Sequence, residues 1–87
     1  MVKKIIICAD DFGISDNINI AIINLLEKKV INDTSCMPNM PAFKLGIAQL
    51  KKKYNDFSHV GIHLNLNEGN AFTNPKYITR NGKFFSL

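Results

Sequence analysis

The sequence predicts an α/β domain in the order β-α-β-α-β, with its three strands side by side in a parallel sheet. Three observations predict it. The apolar run Ile5 to Ala9 ends abruptly in two carboxylates, Asp10 and Asp11. It is long enough for one buried strand and too short for a helix. Two later stretches carry apolar residues at helical spacing, and His59 to Asn67 alternates as a half-buried strand does. Two right-handed crossovers of this kind make a parallel three-stranded sheet.

Residues 3–9 read as strand one, with both faces buried. Gly13 lets the chain turn, and Ser15 or Asp16 supplies a helix N-cap. The helix over about 16–29 places Ile18, Ala21, Ile22, Leu25 and Leu26 on one face. Val30 to Met37 reads as strand two and stops at Pro38, which cannot donate to a ladder. Pro41 suits the first turn of a second helix. That helix carries Phe43, Leu45, Ile47, Ala48 and Leu50, and ends in Lys51-Lys52-Lys53, favourable against its dipole. In strand three, Ile62, Leu64 and Leu66 share one face, and Gly61, His63, Asn65 and Asn67 the other. In a barrel the apolar face would pack outward on helices. Glu68-Gly69-Asn70 makes a turn. No element is expected beyond Ala71, where Asn74-Pro75 and Asn81-Gly82 are turn signals.

The chain has 87 residues, 46% hydrophobic and 21% charged, which describes an ordinary globular protein. Its net charge of +4 comes from dispersed lysines, with almost no arginine and no motif that reads RNA or DNA, so nucleic acid is not an expected partner. No stretch approaches a membrane span. Cys8 and Cys36 lack the spacing of a zinc ribbon or a redox pair and read as buried free thiols, as expected of a cytoplasmic protein. A three-stranded sheet with two open edges and one uncovered face is poorly stabilised alone. Residues 1–87 therefore read as a single incomplete domain, the N-terminal part of a structure that closes.

Carboxylates at the end of a buried strand are costly unless something pairs with them, and in α/β folds ligands bind at the carboxyl ends of parallel strands. Asp10 and Asp11 are thus candidate site residues, one to bind a metal and the other to act as a general base. His63 lies on the polar face near the end of its strand. His59 shares that face but falls about 13 Å away along the strand, toward its start, and reads as structural. A catalytic metal centre commonly takes three protein ligands. Asp11 and His63 supply two; Asp10, Glu68, waters or a residue downstream could complete the set. Ser35, Asn39, Asn65 and Glu68 fall near strand ends, as turn and cap residues or as substrate-binding groups.

Ala9-Asp10-Asp11-Phe12-Gly13, Asn19, Ser35-Cys36-Met37-Pro38-Asn39-Met40-Pro41-Ala42 and Gly61-Ile62-His63-Leu64-Asn65-Leu66 with Glu68-Gly69 resemble the YdjC-like carbohydrate deacetylases, which include the chitooligosaccharide deacetylases. The resemblance implies a distorted (β/α) barrel that removes acetyl groups from N-acetylated sugars. It implies a divalent metal, magnesium first and zinc as the alternative, held by one aspartate and two histidines. By position Asp11 matches the metal aspartate, His63 the first metal histidine and Asp10 the general base. Members of that family are much longer, and the second histidine lies past residue 87. An N-terminal portion, completed by its missing C-terminal half or by another copy of the chain, is the expectation. Two other readings compete. One is a non-catalytic remnant or a module that needs a second chain. The other is a magnesium-binding receiver domain, which needs an acceptor aspartate at the end of strand three, where this chain has His63 and Asn65.

Overall fold

The computed structural model describes residues 3–54, 56–73, 75 and 77–85. In chain order the elements are β1 (Cys8–Phe12), α1 (Asp16–Glu27), β2 (Asp33–Cys36), α2 (Phe43–Lys53), β3 (Val60–Ile62), β4 (Thr79–Arg80) and β5 (Lys83–Phe84). The first three strands form a parallel sheet with β2 in the middle. This is the α/β class and topology that the sequence predicts, and a three-strand arc of the kind a (β/α) barrel contains.

Both helices cover one face of the sheet. The core there is Phe12, Ile22, Ile23, Leu26, Ile31, Cys36 and Leu50, flanked by Ala9, Phe43, Ile47, Tyr54 and Val60. The other face is open and polar. Parallel partners share a face, so Cys8, Asp33 and His59 lie together near the start of the strands, and Ser35 and Gly61 lie further along.

Strand one is displaced from the expected 3–9 to Cys8–Phe12. The isoleucines before it are not core: Ile5 is 78% exposed, and Ile6 and Ile7 are also exposed. Ile7 is tied to the β2 side through Asn32, whose Oδ1 accepts its N–H at 2.9 Å. No described element covers the run on its other side. Cys8 is exposed too, because its side chain falls on the open face, whereas Cys36 is buried as expected.

Ser15 caps α1, its Oγ accepting the Ile18 N–H at 3.3 Å. The buried stripe of α1 is Asn19, Ile22, Ile23 and Leu26. The expected stripe was one residue out of register, and Ile18, Ala21 and Leu25 are exposed. A polar residue at the head of the true stripe concealed it. In α2 the stripe is Phe43, Gly46, Ile47 and Leu50, with Gly46 and Leu50 fully inside. Leu45 and Ala48 face outward instead of inward. The lysine run occupies the last turn of α2 as predicted.

β3 is shorter than the expected 59–67. The ladder continues only to His63, whose N–H donates to the Cys36 carbonyl at 2.8 Å. Asn65 then folds the chain, its Oδ1 accepting the N–H groups of Asn67 and Glu68 at 3.1 and 3.0 Å. An Asn side chain that bonds the backbone two residues on makes a turn in place of a strand. The apolar row at and beyond the end of the strand is not packed on helices: Ile62 and Leu64 are each 79% exposed. Beyond Ala71, where no element was expected, β4 and β5 form a hairpin. Its turn is Asn81-Gly82, both at positive φ (53° and 75°), as a two-residue hairpin turn requires. Asn74 of the other turn signal lies outside the described residues. No helix among the described residues is long and apolar enough to cross a membrane.

Candidate functional site

The site is built on a bulge. Ala9 pairs with Thr34 and Phe12 with Cys36, so the two residues Asp10 and Asp11 stand opposite the single residue Ser35. Ala9 and Phe12 both face the helix layer, although three residues apart. A regular strand would put residues two or four apart on one face. Both aspartates are thereby turned to the open face. Bulges recur beside active sites because they re-aim side chains in this way. Asp11 carries the irregularity, with φ at +71°. Aspartate tolerates the left-handed region better than most residues, at a cost of order 1–3 kcal/mol.

The two carboxylates have separate surroundings. Asp10 Oδ1 accepts the Ser35 hydroxyl at 2.8 Å and lies 3.8 Å from the Cys8 thiol. Desolvation, then the Asp10 and Asp33 carboxylates, raise the Cys8 pKa. The thiol is therefore a weaker nucleophile than an ordinary exposed cysteine. Asp11 Oδ1 lies 3.1 Å from His63 Nδ1. That nitrogen is buried and makes no hydrogen bond, so the short distance is not an aligned N–H···O contact. With the ring proton on Nε2, Nδ1 and Oδ1 present two lone pairs side by side. Two donors each about 2.0–2.1 Å from one zinc-sized ion stand about 3 Å apart, so this pair fits as two ligands of a divalent cation. No cluster of three or more His, Cys, Asp or Glu suited to a metal occurs among the described residues. Asp10 and Glu68, the completing ligands weighed from the sequence, do not assemble with the pair.

Asn39, Asn65 and Glu68 come together, but as a loop clamp. Asn39 Nδ2 donates to the carbonyls of Glu68 and Asn70 at 2.8 and 3.0 Å. Asn65 Nδ2 donates to the Glu68 carbonyl at 2.8 Å and to Asn39 Oδ1 at 3.3 Å. Glu68 contributes its backbone, and its residue is exposed. Beside His63 the clamp borders a groove of about 260 Å³, walled by Pro38, Ile62, Leu64, Leu66 and Phe72. His59 is at the opposite end of the sheet, with Nδ1 3.0 Å from Asp33 Oδ1, in keeping with the structural reading.

The residue whose part was not read from the sequence is Asn19. It is fully buried, accepts the Gly13 N–H on Oδ1 at 2.7 Å and donates from Nδ2 to the Ala42 carbonyl at 2.9 Å. The signal was present: Asn19 begins the i, i+3, i+4, i+7 stripe completed by Ile22, Ile23 and Leu26.

The sequence profile of the family described as YdjC-like protein matches residues 4–86. Among curated proteins, the chain is 37% identical over 83 residues to a carbohydrate deacetylase of Halalkalibacterium halodurans, covering 93% of this chain and 34% of that protein. It is 42% identical over 71 residues to carbohydrate deacetylase 2 of Listeria innocua, covering 82% and 28%. To a carbohydrate deacetylase of Geobacillus stearothermophilus it is 34% identical over 85 residues, covering 97% and 34%. The chain thus spans about a third of the length of these relatives. No solved structure shows a significant match. With the aspartate bulge and its facing histidine inside the matched region, the chain belongs to the YdjC-like protein family.

Proposed function

We propose that this chain carries the aspartate–histidine half of a metal-dependent carbohydrate N-deacetylase, which hydrolyses N-acetyl groups of sugars such as chitooligosaccharides to acetate and free amine. The observation that carries the reading is the buried, unbonded Nδ1 of His63 held 3.1 Å from Asp11 Oδ1. The names of the relatives, carbohydrate deacetylases, support the substrate class.

Asp11 and His63 would hold a divalent ion, which supplies Lewis acidity toward water and toward the acetamide oxygen. A mixed nitrogen–oxygen donor pair suits zinc, cobalt or manganese. Magnesium, expected from the resemblance, prefers oxygen ligands, and it remains part of the test. Asp10 is the proposed general base. Its Oδ1 is held by Ser35, which leaves Oδ2 to take a proton from the attacking water. Ser35 thus positions Asp10 rather than touching the sugar. The groove beside His63 is the proposed approach for the sugar, with Phe72 on its wall.

The test is a titration of the 87-residue protein with magnesium, zinc, manganese and cobalt, alongside acetate release from N,N′-diacetylchitobiose. Stoichiometric binding that is lost in His63→Ala supports the metal pair, and acetate release supports the deacetylase. Absence of binding by every ion overturns the metal reading for this chain. Exposed Ile62, Leu64 and Leu66 favour a second reading, a module that acts only beside another polypeptide. Specific activity, per mole of chain, that rises with protein concentration would identify that polypeptide as a second copy.

A further inference from the structure

Two residue choices meet inside the protein that burial alone does not explain. The first is the amide of Asn19 on the core face of α1, among Ile22, Ile23 and Leu26. A buried amide is destabilising wherever its hydrogen bonds are not made. A leucine would fill such a position without that demand. The second is Gly46, buried within α2, where glycine is a poorer helix former than alanine. They are one device. A Cβ on Gly46 would run into the Asn19 amide and would reach 3.0 Å from the Phe12 ring. The glycine makes room for the amide.

The amide in turn reaches two loops at the carboxyl end of the sheet. It binds the Gly13 N–H after β1 and the Ala42 carbonyl before α2. Gly13 and Ala42 are themselves joined, the Ala42 N–H donating to the Gly13 carbonyl at 3.0 Å. Gly13 lies two residues after Asp11, and its own φ is +109°. A Cβ there would lie 3.0 Å from the Met37 carbonyl oxygen, so this turn has little freedom to relax. Left-handed φ at a non-glycine residue persists only where its surroundings over-determine it. Asn19 is the side chain that ties this segment to both helices.

We infer that Asn19, seated on Gly46, is a positioning residue that holds the Asp10–Asp11 bulge in its left-handed form and so keeps Asp11 Oδ1 beside His63 Nδ1. Its functional meaning rests on the metal reading above, but the positioning itself is a property of the backbone and is tested without metal. In solution NMR a residue at positive φ gives a strong cross-peak between its own amide and α protons. At φ +71°, wild-type Asp11 is expected to show this signature, and its absence there overturns the inference. Asn19→Leu removes both hydrogen bonds while preserving an apolar helix face. Expected is a folded protein by amide dispersion in which the Asp11 signature weakens severalfold, with cobalt affinity down roughly tenfold or more. Asn19→Asp keeps the acceptor for the Gly13 N–H and retains the signature. Gly46→Ala displaces the amide with every bulge residue intact and weakens the signature, which also decides the matter if Asn19→Leu does not fold. An unchanged Asp11 signature in folded Asn19→Leu, or in Gly46→Ala, overturns the inference. Wild-type protein that binds none of magnesium, zinc, manganese and cobalt removes the metal reading, while the backbone signature still decides the positioning.

Discussion

Two aspartate–histidine pairs sit at opposite ends of the same open sheet face, and their difference is instructive. Asp11 and His63 approach to 3.1 Å, and Asp33 and His59 to 3.0 Å, in each case Oδ1 to Nδ1. In the Asp33 pair the buried, unbonded atom is the carboxylate oxygen, and the imidazole is half exposed. There the carboxylate is the more enclosed partner and the imidazole the wetter one. In the Asp11 pair the buried atom is the ring nitrogen, and the carboxylate is 48% exposed. The backbone differs as well. Asp33 lies in regular register with Cys8, whereas Asp11 sits in a bulge at positive φ. The same interatomic distance thus occurs in an ordinary place and in a strained one. Backbone strain at a residue whose own carboxylate is turned to the open face points to function.

The largest expected effect breaks that equivalence. Asp11→Ala or His63→Ala should lower zinc or cobalt affinity roughly a hundredfold or more, since each removes a proposed ligand where even outer partners count for about 10–100-fold. Asp33→Asn or His59→Ala should leave affinity unchanged and shift stability by about 1 kcal/mol or less, as half-exposed pairs do. Isothermal titration and urea unfolding on the four variants measure both. Equal losses of affinity from the two pairs would remove the distinction.

Glycine sharpens it further. Asp11→Gly should abolish metal binding while leaving stability unchanged or up to about 1 kcal/mol higher, because glycine adopts φ > 0 without a Cβ penalty. Asp33→Gly, in a regular strand, should cost about 1 kcal/mol. Thermal unfolding reads the sign. A clear loss of stability in Asp11→Gly would mean that the bulge is held for packing. Next in size, under the proposed deacetylase reading Ser35→Ala should slow acetate release about tenfold, from the loss of one hydrogen bond to the Asp10 carboxylate, with metal affinity unaltered. A change in affinity instead would place Asp10 in the metal shell.

How much of this was legible in the sequence follows from the same contrast. The β-α-β-α-β order, a cap at Ser15 or Asp16, the lysine-ended α2 and the placing of Asp10, Asp11, Ser35 and His63 near strand ends all rest on local pattern, and the structure contains each, with Ser15 as the cap. The bulge does not rest on local pattern. It appears only when Ala9 and Phe12 are both seen to face the helices, a tertiary fact. Asn19 hid the register of α1 for a related reason, since a buried polar side chain is identified by its partners, and these are 6 and 23 residues away. Ile5, Ile62 and Leu64 read as core because apolar runs imply cover, and none of the described elements covers them. Asn65 read as a strand residue until its side chain was seen to turn the chain.

The smallest effect compares the two faces through their thiols. Cys36 lies in the core, and burial pushes its pKa from 9.0 to about 11. Folding therefore favours its neutral form. The stabilisation is complete below pH 9, where the thiol is protonated both folded and unfolded, and drains away as pH rises from 9 toward 11. Between pH 8 and pH 10.5 the urea midpoint should fall more in wild type than in Cys36→Ala, the difference isolating the contribution of this thiol. Cys8, on the open face, is also raised, by desolvation and then by Asp10 and Asp33, yet it is exposed. Alkylation of native protein near neutral pH should modify Cys8 slowly and leave Cys36 untouched until unfolding. Modification of Cys36 first would mean that the helix-covered face opens more readily than the bulge-bearing one, and would reverse the ranking of rigid and accessible faces on which the site assignment depends.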